Sequence, residues 1–266
     1  MNATLSTLIK RLYETRLSKT NVIPWSCPVP SFGDVSSARV ATLGLNPSNR
    51  EFVDRSGNEL VGPFRRFHTL GSLGLARWSE VKVQHLRQIW DSCRNYFSRN
   101  PYDLWFRQLD HLIGETEASY YDASGGACHL DLIPYATECK WTSLSHRQRS
   151  LLISVAGDSL ALLLRESPVR LLILNGSSVV RNFEKIAEVR LEKKVMNGWM
   201  LPRRSRSNVT GIAYNGVVRY VSGIKLKHDV LVIGFNHNIQ SSFGVTREVR
   251  TSIRHWIGRI ADGVCW

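Results

Sequence analysis

The stretch Arg39-Val-Ala-Thr-Leu-Gly-Leu-Asn-Pro-Ser48 decides the fold. Residues 40–45 form a short apolar run without polar alternation, the pattern of a strand buried on both faces of a parallel sheet. Asn46-Pro47 stops it, because proline has no N–H for a ladder and keeps its predecessor out of the helical region. Three more runs share this form: 128–133 before Pro134, 169–174 before Asn175-Gly176-Ser177, and 229–235 before Asn236-His237-Asn238. Helical periodicity separates them, over 81–97, 102–113 and 146–165, after Ser177, and again over 246–260. Ser145 is the N-cap candidate of the third helix and Pro168 marks its far end. Upstream, Leu5, Leu8, Ile9 and Leu12 share one helical face, and a proline-bearing loop at 24–30 follows. Strands alternating with helices predict an α/β fold, a three-layer α/β/α sandwich around a mainly four-stranded parallel sheet. Over 208–222, two β-rich arms flank Asn215-Gly216, a two-residue hairpin signal, and predict a β-hairpin elaboration. The chain reads as a single domain over 1–266, with an N-terminal helix and loop (1–38) and a basic arm with the hairpin (190–222) inserted.

The composition narrows the function classes. The chain has 266 residues, 43% of them hydrophobic and 21% charged, which excludes wholesale disorder and suffices for a core without staples. Lys and Arg number 35 against 22 Asp and Glu, a net charge of +13, which points to a polyanionic partner, nucleic acid before an anionic membrane. The five cysteines form no C-x-x-C pair, and the eight histidines show neither H-x-x-x-H nor H-E-x-x-H spacing, so no metal site is expected. No G-x-G-x-x-G or Walker pattern is present, which argues against a nucleotide-phosphate loop, and no cofactor is expected. The longest apolar stretch, 151–164, is interrupted by Ser154, Gly157, Asp158 and Ser159, and the N-terminus has no signal-peptide pattern. The expectation is a cytoplasmic protein with no membrane partner, and a monomer by default.

In a parallel sheet of this kind the ligand lies beyond the carboxyl ends of the strands. The segments there carry a resemblance. Gly44-Leu45-Asn46-Pro47-Ser48, Arg66-Phe67-His68 with Phe64 nearby, Leu130-Asp131, Leu174-Asn175-Gly176-Ser177 and Asn236-His237-Asn238-Ile239-Gln240-Ser241-Ser242 follow one another in the order of the motifs of the uracil-DNA glycosylase superfamily. Over 39–260 the chain resembles that superfamily, with the Asn-bearing first motif of its mismatch-specific and single-strand-selective branches. It departs from the pattern at Asn238, where the motif has Pro, and at Asp131, where it often has Asn. The resemblance implies a monofunctional DNA glycosylase that hydrolyses an N-glycosidic bond, leaves an abasic site and needs no cofactor. No lysine lies in these five segments, so no Schiff-base nucleophile for a lyase step is evident.

The residue types fit such a reaction. Its transition state has oxocarbenium character at the sugar and negative charge on the departing base. Asn46 is the candidate to orient the attacking water. His237, as a neutral imidazole, is the candidate N–H donor to base O2. Asp131 accepts hydrogen bonds, which suits the N4 amino group of cytosine and repels O4 of uracil. Ser48 stands where strict uracil enzymes place a bulky Tyr against C5, which opens space for a 5-substituent. Together these favour a 5-substituted cytosine, hydroxymethylated or glucosylated as in modified phage DNA, and members of the superfamily are implicated in phage defence. The alternatives are a uracil or deaminated-base repair enzyme, or a catalytically silent DNA-binding module of the same fold. Phe64 and Phe67 are candidates to stack on the flipped base. Ile239, Gln240 and Ser241, with Phe243, lie where the superfamily inserts a wedge into the duplex. Over 190–210, Arg190, Lys193, Lys194, Arg203, Arg204 and Arg206 face one acid, Glu192, with Trp199 among them. This segment reads as a phosphate-tracking arm, to which Arg65 and Arg66 add charge near the first motif.

Overall fold

The computed structural model describes all residues except 15, 101–102, 123–124, 203–206, 241–243 and 265–266. Its elements, in chain order, are α1 (Asn2–Leu12), β1 (Val40–Gly44), α2 (Val83–Arg94), α3 (Tyr96–Arg99), α4 (Leu104–Ile113), β2 (Ala127–Asp131), α5 (His146–Ala156), α6 (Ser159–Glu166), β3 (Leu171–Asn175), α7 (Ser177–Ala187), β4 (Glu192–Leu201), β5 (Val209–Val221), β6 (Ile224–Phe235) and α8 (Arg247–Ala261). The fold is α/β. Helices flank one six-stranded mixed sheet of order β2-β1-β3-β6-β5-β4. The first four strands are parallel, and β5 and β4 extend the sheet antiparallel beyond β6. Every residue of β2 and β3 is buried, as are Val40, Ala41, Thr42 and Leu43 of β1, which is why these strands read as apolar runs without alternation. No helix among the described residues is long and apolar enough to cross a membrane.

Local chemistry sets the helix ends. Ser145 and Gln148 form a reciprocal capping box on α5, Asp103 caps α4 through Trp105 N, and Thr246 caps α8 through Val249 N. The single helix expected over 146–165 is two helices, broken at Gly157-Asp158. Asp158 there takes a two-pronged ion pair from Arg11 of α1 at 2.7 and 2.8 Å, and Arg11 also donates to Ser159 at 3.1 Å. The break docks the N-terminal helix onto the domain.

The hairpin lies elsewhere than expected. Asn215 and Gly216 sit in the middle of β5, where Asn215 pairs with Glu192 on one side and Ile233 on the other. Gly216 serves packing, since a Cβ there would stand 2.7 Å from the Leu191 side chain. The turn is Ser222-Gly223, joining β5 to β6 with φ of +50° and +71°, the left-handed pair that a two-residue hairpin requires.

The segment read as a basic arm is largely a strand. Lys193 and Lys194 lie exposed on β4, the sheet's outer strand, where lysines also discourage edge-to-edge pairing. Trp199 is fully buried. Its Nε1 donates to Ser252 of α8 at 3.0 Å, its ring meets Trp256 edge-on at 5.2 Å, and Gly211 clears the room opposite. Arg203, Arg204 and Arg206 lie outside the described residues. Trp199→Ala is therefore expected to cost ~3–5 kcal/mol of stability, as for a large core truncation, read from urea midpoints. A change within ~0.5 kcal/mol, as at an exposed site, would contradict this placement.

Candidate active site at the strand ends

Sheet order and register bring the polar segments after the parallel strands into one row. Asp131 ends β2 opposite Gly44, Asn46 follows β1, Asn175 ends β3 opposite Phe235, and Asn236-His237 follows β6. The chain runs from β1 to β2 on one side, then crosses to β3 on the other. The connections diverge between β1 and β3, the place in a parallel sheet where a ligand crevice is expected, and the strand-end edge there is the candidate crevice. Two surface grooves lie away from this edge, one of about 300 Å³ beside Asp34, Trp90 and Arg94, the other along α8 at Arg247, Ser252 and Arg259.

Asn46 is held in one orientation. Its Nδ2 donates to Thr137 Oγ1 at 3.0 Å, Pro47 O at 3.1 Å and Tyr135 O at 3.4 Å. Two of these partners are carbonyls and can only accept, and Thr137 spends its own proton on Cys139 O at 2.7 Å. The network therefore fixes the amide flip. Among the described residues no donor reaches Oδ1, so the side chain offers a fixed carbonyl oxygen at the crevice, an acceptor for a water.

Asp131 ends a buried polar relay that was not anticipated from the sequence. Tyr120 Oη lies 2.5 Å from Thr42 Oγ1, Thr42 Oγ1 lies 2.7 Å from His129 Nδ1, and His129 Nε2 faces Asp131 Oδ1 at 3.6 Å. All four side chains are at least nine-tenths buried. One assignment satisfies every step: Tyr120 donates to Thr42, Thr42 donates to His129 Nδ1, and the Nε2–H is directed at the carboxylate. Gly44 makes room for this end of the relay, because a Cβ there would overlap Asp131 Oδ1 and stand 2.9 Å from His129 Nε2. Phe32 and Phe106 wall the histidine at 5.6 and 5.1 Å between ring centres. The available signal was spacing: His129 and Asp131 are two apart on one strand, Thr42 and Gly44 two apart on the next, so all four share a face.

His237 differs from its expected role. It is 2% exposed, and its Nε2 lies 2.6 Å from the backbone oxygen of Trp199. A carbonyl accepts only, so the proton sits on Nε2 and is spent on β4. Burial lowers the imidazole pKa below its ordinary value, with the Trp199 bond opposing, so the ring is neutral near pH 7 and Nδ1 carries a lone pair. In this arrangement it has no N–H to give to base O2.

The remaining candidates divide. Ser48 is exposed and its Oγ accepts from Arg50 N at 3.2 Å, so it caps the turn after β1. Phe64 is exposed. Phe67 is a core residue, stacked on Tyr96 at 5.3 Å and edge-on to Phe32, which leaves it no face for a base. Arg65 is half-buried. Arg66 turns inward to Glu51 at 3.3 Å and Asp103 at 3.4 Å, with Tyr96 Oη beside it, and so is committed to carboxylates, not phosphates. Ile239 is 4% exposed and gives its N–H to Asn175 Oδ1, which rules it out as a wedge in this arrangement. Gln240 bonds Asn175 Nδ2 and donates to Trp105 O. Ser241 and Phe243 lie outside the described residues. The chain matches no protein-family model and no curated protein sequence.

Two measurements check these assignments. Nitrogen-15 shifts of His237 are expected to report a neutral, Nε2-protonated ring at pH 7.5; a Nδ1–H ring would overturn the bond to Trp199. Burial, opposed by Arg66 and Tyr96, raises the Glu51 carboxyl from 4.5 to about 7. The folded state then keeps a proton that the unfolded chain loses, and stability falls as pH rises between those values. Glu51→Gln is expected to remove that slope, worth roughly 3 kcal/mol, in denaturation midpoints measured across the window.

Proposed function

We propose that the chain is an N-glycosidase acting on DNA, with Asn46 and Asp131 as its working pair. The supporting observation is the placement of two unlike acceptors at adjacent, flush strand ends: a fixed amide oxygen after β1 and a buried carboxylate at the end of β2. In this reading Asn46 Oδ1 holds a water against C1′. An amide oxygen is a weak base, which suffices when bond cleavage runs ahead of attack and the sugar is already cationic. Asp131 receives the exocyclic amino group of the base. The His129 N–H behind it holds the carboxylate as an acceptor, so a cytosine edge is favoured over a uracil edge, whose O4 would meet oxygen. With small, exposed Ser48 beside Asn46, the preferred substrate is a cytosine carrying a 5-substituent, hydroxymethyl or glucosylated hydroxymethyl.

One observation favours a second reading, a DNA-binding module without activity: the N–H of His237 is spent on Trp199, so that residue does not stabilise the departing base. A single experiment separates the two. Oligonucleotides carrying uracil, cytosine, 5-hydroxymethylcytosine or its glucosylated form are incubated with the protein and treated with alkali to cut abasic sites. Cutting at the modified cytosines is expected, and Asn46→Ala is expected to lower it by ~100-fold or more. Asp131→Asn, whose amide can donate to O4, is expected to shift preference toward uracil by roughly 5- to 150-fold. Activity on uracil alone sinks the cytosine assignment, and DNA binding with no cutting of any substrate supports the silent module.

A further inference from the structure

Large apolar side chains collect in water around the crevice. Val61 is 66% exposed, Phe64 76%, Leu104 79% and Trp105 48%. Polar contacts bring them to one rim. Arg66, two residues after Phe64, pairs with Asp103, the residue before Leu104, and Arg99 donates to Arg65 O at 3.3 Å. Gln240 joins Trp105 O to Asn175 at the end of β3. Behind this rim, Phe106 turns inward onto His129. The first turn of α4 thus reaches from the wall of the crevice to its exposed lip. Arginines also stand around the rim: Arg50 and Arg99 are exposed, each giving one bond to a backbone oxygen, and Arg107 lies exposed over the Tyr121 ring at 4.0 Å. The nearby buried His68 is pushed down to about 4 by burial first and then by Arg65 and Arg99.

From this rim we infer that the strand entering the site is unpaired DNA, whose bases stack on Trp105 and Phe64 while the arginines hold its phosphates. Bases within a duplex are stacked on one another and offer no face to an outside ring, whereas each base of an unpaired strand does, whatever its identity. Opening a duplex calls for a side chain to fill the vacated stack. Of the described candidates for that role, Ile239 is buried and Gln240 is bonded at both ends of its amide, while Ser241 and Phe243 lie outside the described residues. A base in an unpaired strand reaches the crevice without that step. The inference rests on the glycosidase reading for the entry of a base into the crevice, but strand binding is measurable without catalysis.

The test is fluorescence anisotropy with three probes of equal length: a single-stranded oligonucleotide, its duplex, and a strand of abasic sites that keeps the phosphates and lacks the bases. The single strand is expected to bind roughly tenfold or more tightly than either of the others. Trp105→Ala and Phe64→Ala are each expected to weaken single-strand binding roughly 5- to 100-fold, to leave the abasic strand unchanged and to keep the unfolding midpoint, with Trp105→Phe restoring most of the loss. Duplex binding as tight as single-strand binding, or an unchanged affinity in Trp105→Ala, overturns the inference. If wild-type protein excises nothing yet binds single strands through Trp105, the glycosidase reading fails and this inference stands. If excision proceeds equally well on duplex and in Trp105→Ala, the reverse holds.

Discussion

The structure depends on how β1 is held. Its five residues pair with β2 on one side, and the first four pair with β3 on the other, in parallel and in a fixed register. Such a strand, buried on both faces, cannot slip by one residue without turning Thr42 and Gly44 to the opposite face and breaking both ladders. Because it is pinned, the residues just past its end fall where the neighbouring strands also stop. The amide of Leu132 then bonds Gly44 O at 3.2 Å and that of Ile133 bonds Leu45 O at 3.0 Å, which carries the pairing beyond the sheet and brings the Tyr135–Thr137 backbone up to Asn46. The polar row at the crevice is a consequence of that register.

Within the row the strand ends have divided their tasks. Asn236 gives both ends of its amide to β5, to Ile212 N and Thr210 O, so it extends the sheet. Asn175 binds the Ile239 backbone and the Gln240 side chain, so it fastens the loop after β6. Gly176, at φ of +101°, allows Asn238 to lie against it, since a Cβ there would stand 3.1 Å from the Asn238 Cβ. The β3 and β6 ends are thus consumed by structure, and the acceptors left over belong to β1 and β2. That asymmetry, more than the presence of polar residues at each end, is what singles out Asn46 and Asp131 in the proposed reading.

The sequence made the strands legible because a strand buried on both faces has to be apolar throughout, and prolines or an Asn-Gly step closed three of the four runs. It misled at Asn215-Gly216, since that dipeptide is a turn signal only where strands end, and here Gly216 is small for the sake of Leu191. Phe67 and Arg66 were indistinguishable from Phe64 and Arg65 by type or spacing. Their separation came from Tyr96, Glu51 and Asp103, side chains 15 to 37 residues from Arg66 that fold back over it. His237 needed a partner 38 residues away on a strand that read as a basic arm. The relay behind Asp131 crosses 87 residues from Thr42 to His129, and only the pairing of β1 with β2 brings its halves together.

The net charge of +13 acquires a different meaning once its members are placed. Arg11 is spent on Asp158, Arg66 on Glu51 and Asp103, and Arg219 on Asp229. These pairs hold elements together and add nothing to the field that a polyanion meets. Lys193 and Lys194 stand on the outer strand β4, at the far end of the sheet from β2, and serve the edge as much as any partner. Among the described residues the ends of β1 and β2 carry the acid Asp131 and the neutral Asn46, while arginines stand around exposed rings outside. Positive charge draws a strand but repels nothing specific from the pocket, whereas a buried carboxylate admits a base only by the hydrogens on its edge. In the proposed reading, affinity and selectivity would therefore lie in different layers of the same edge, and a substitution in one would leave the other in place.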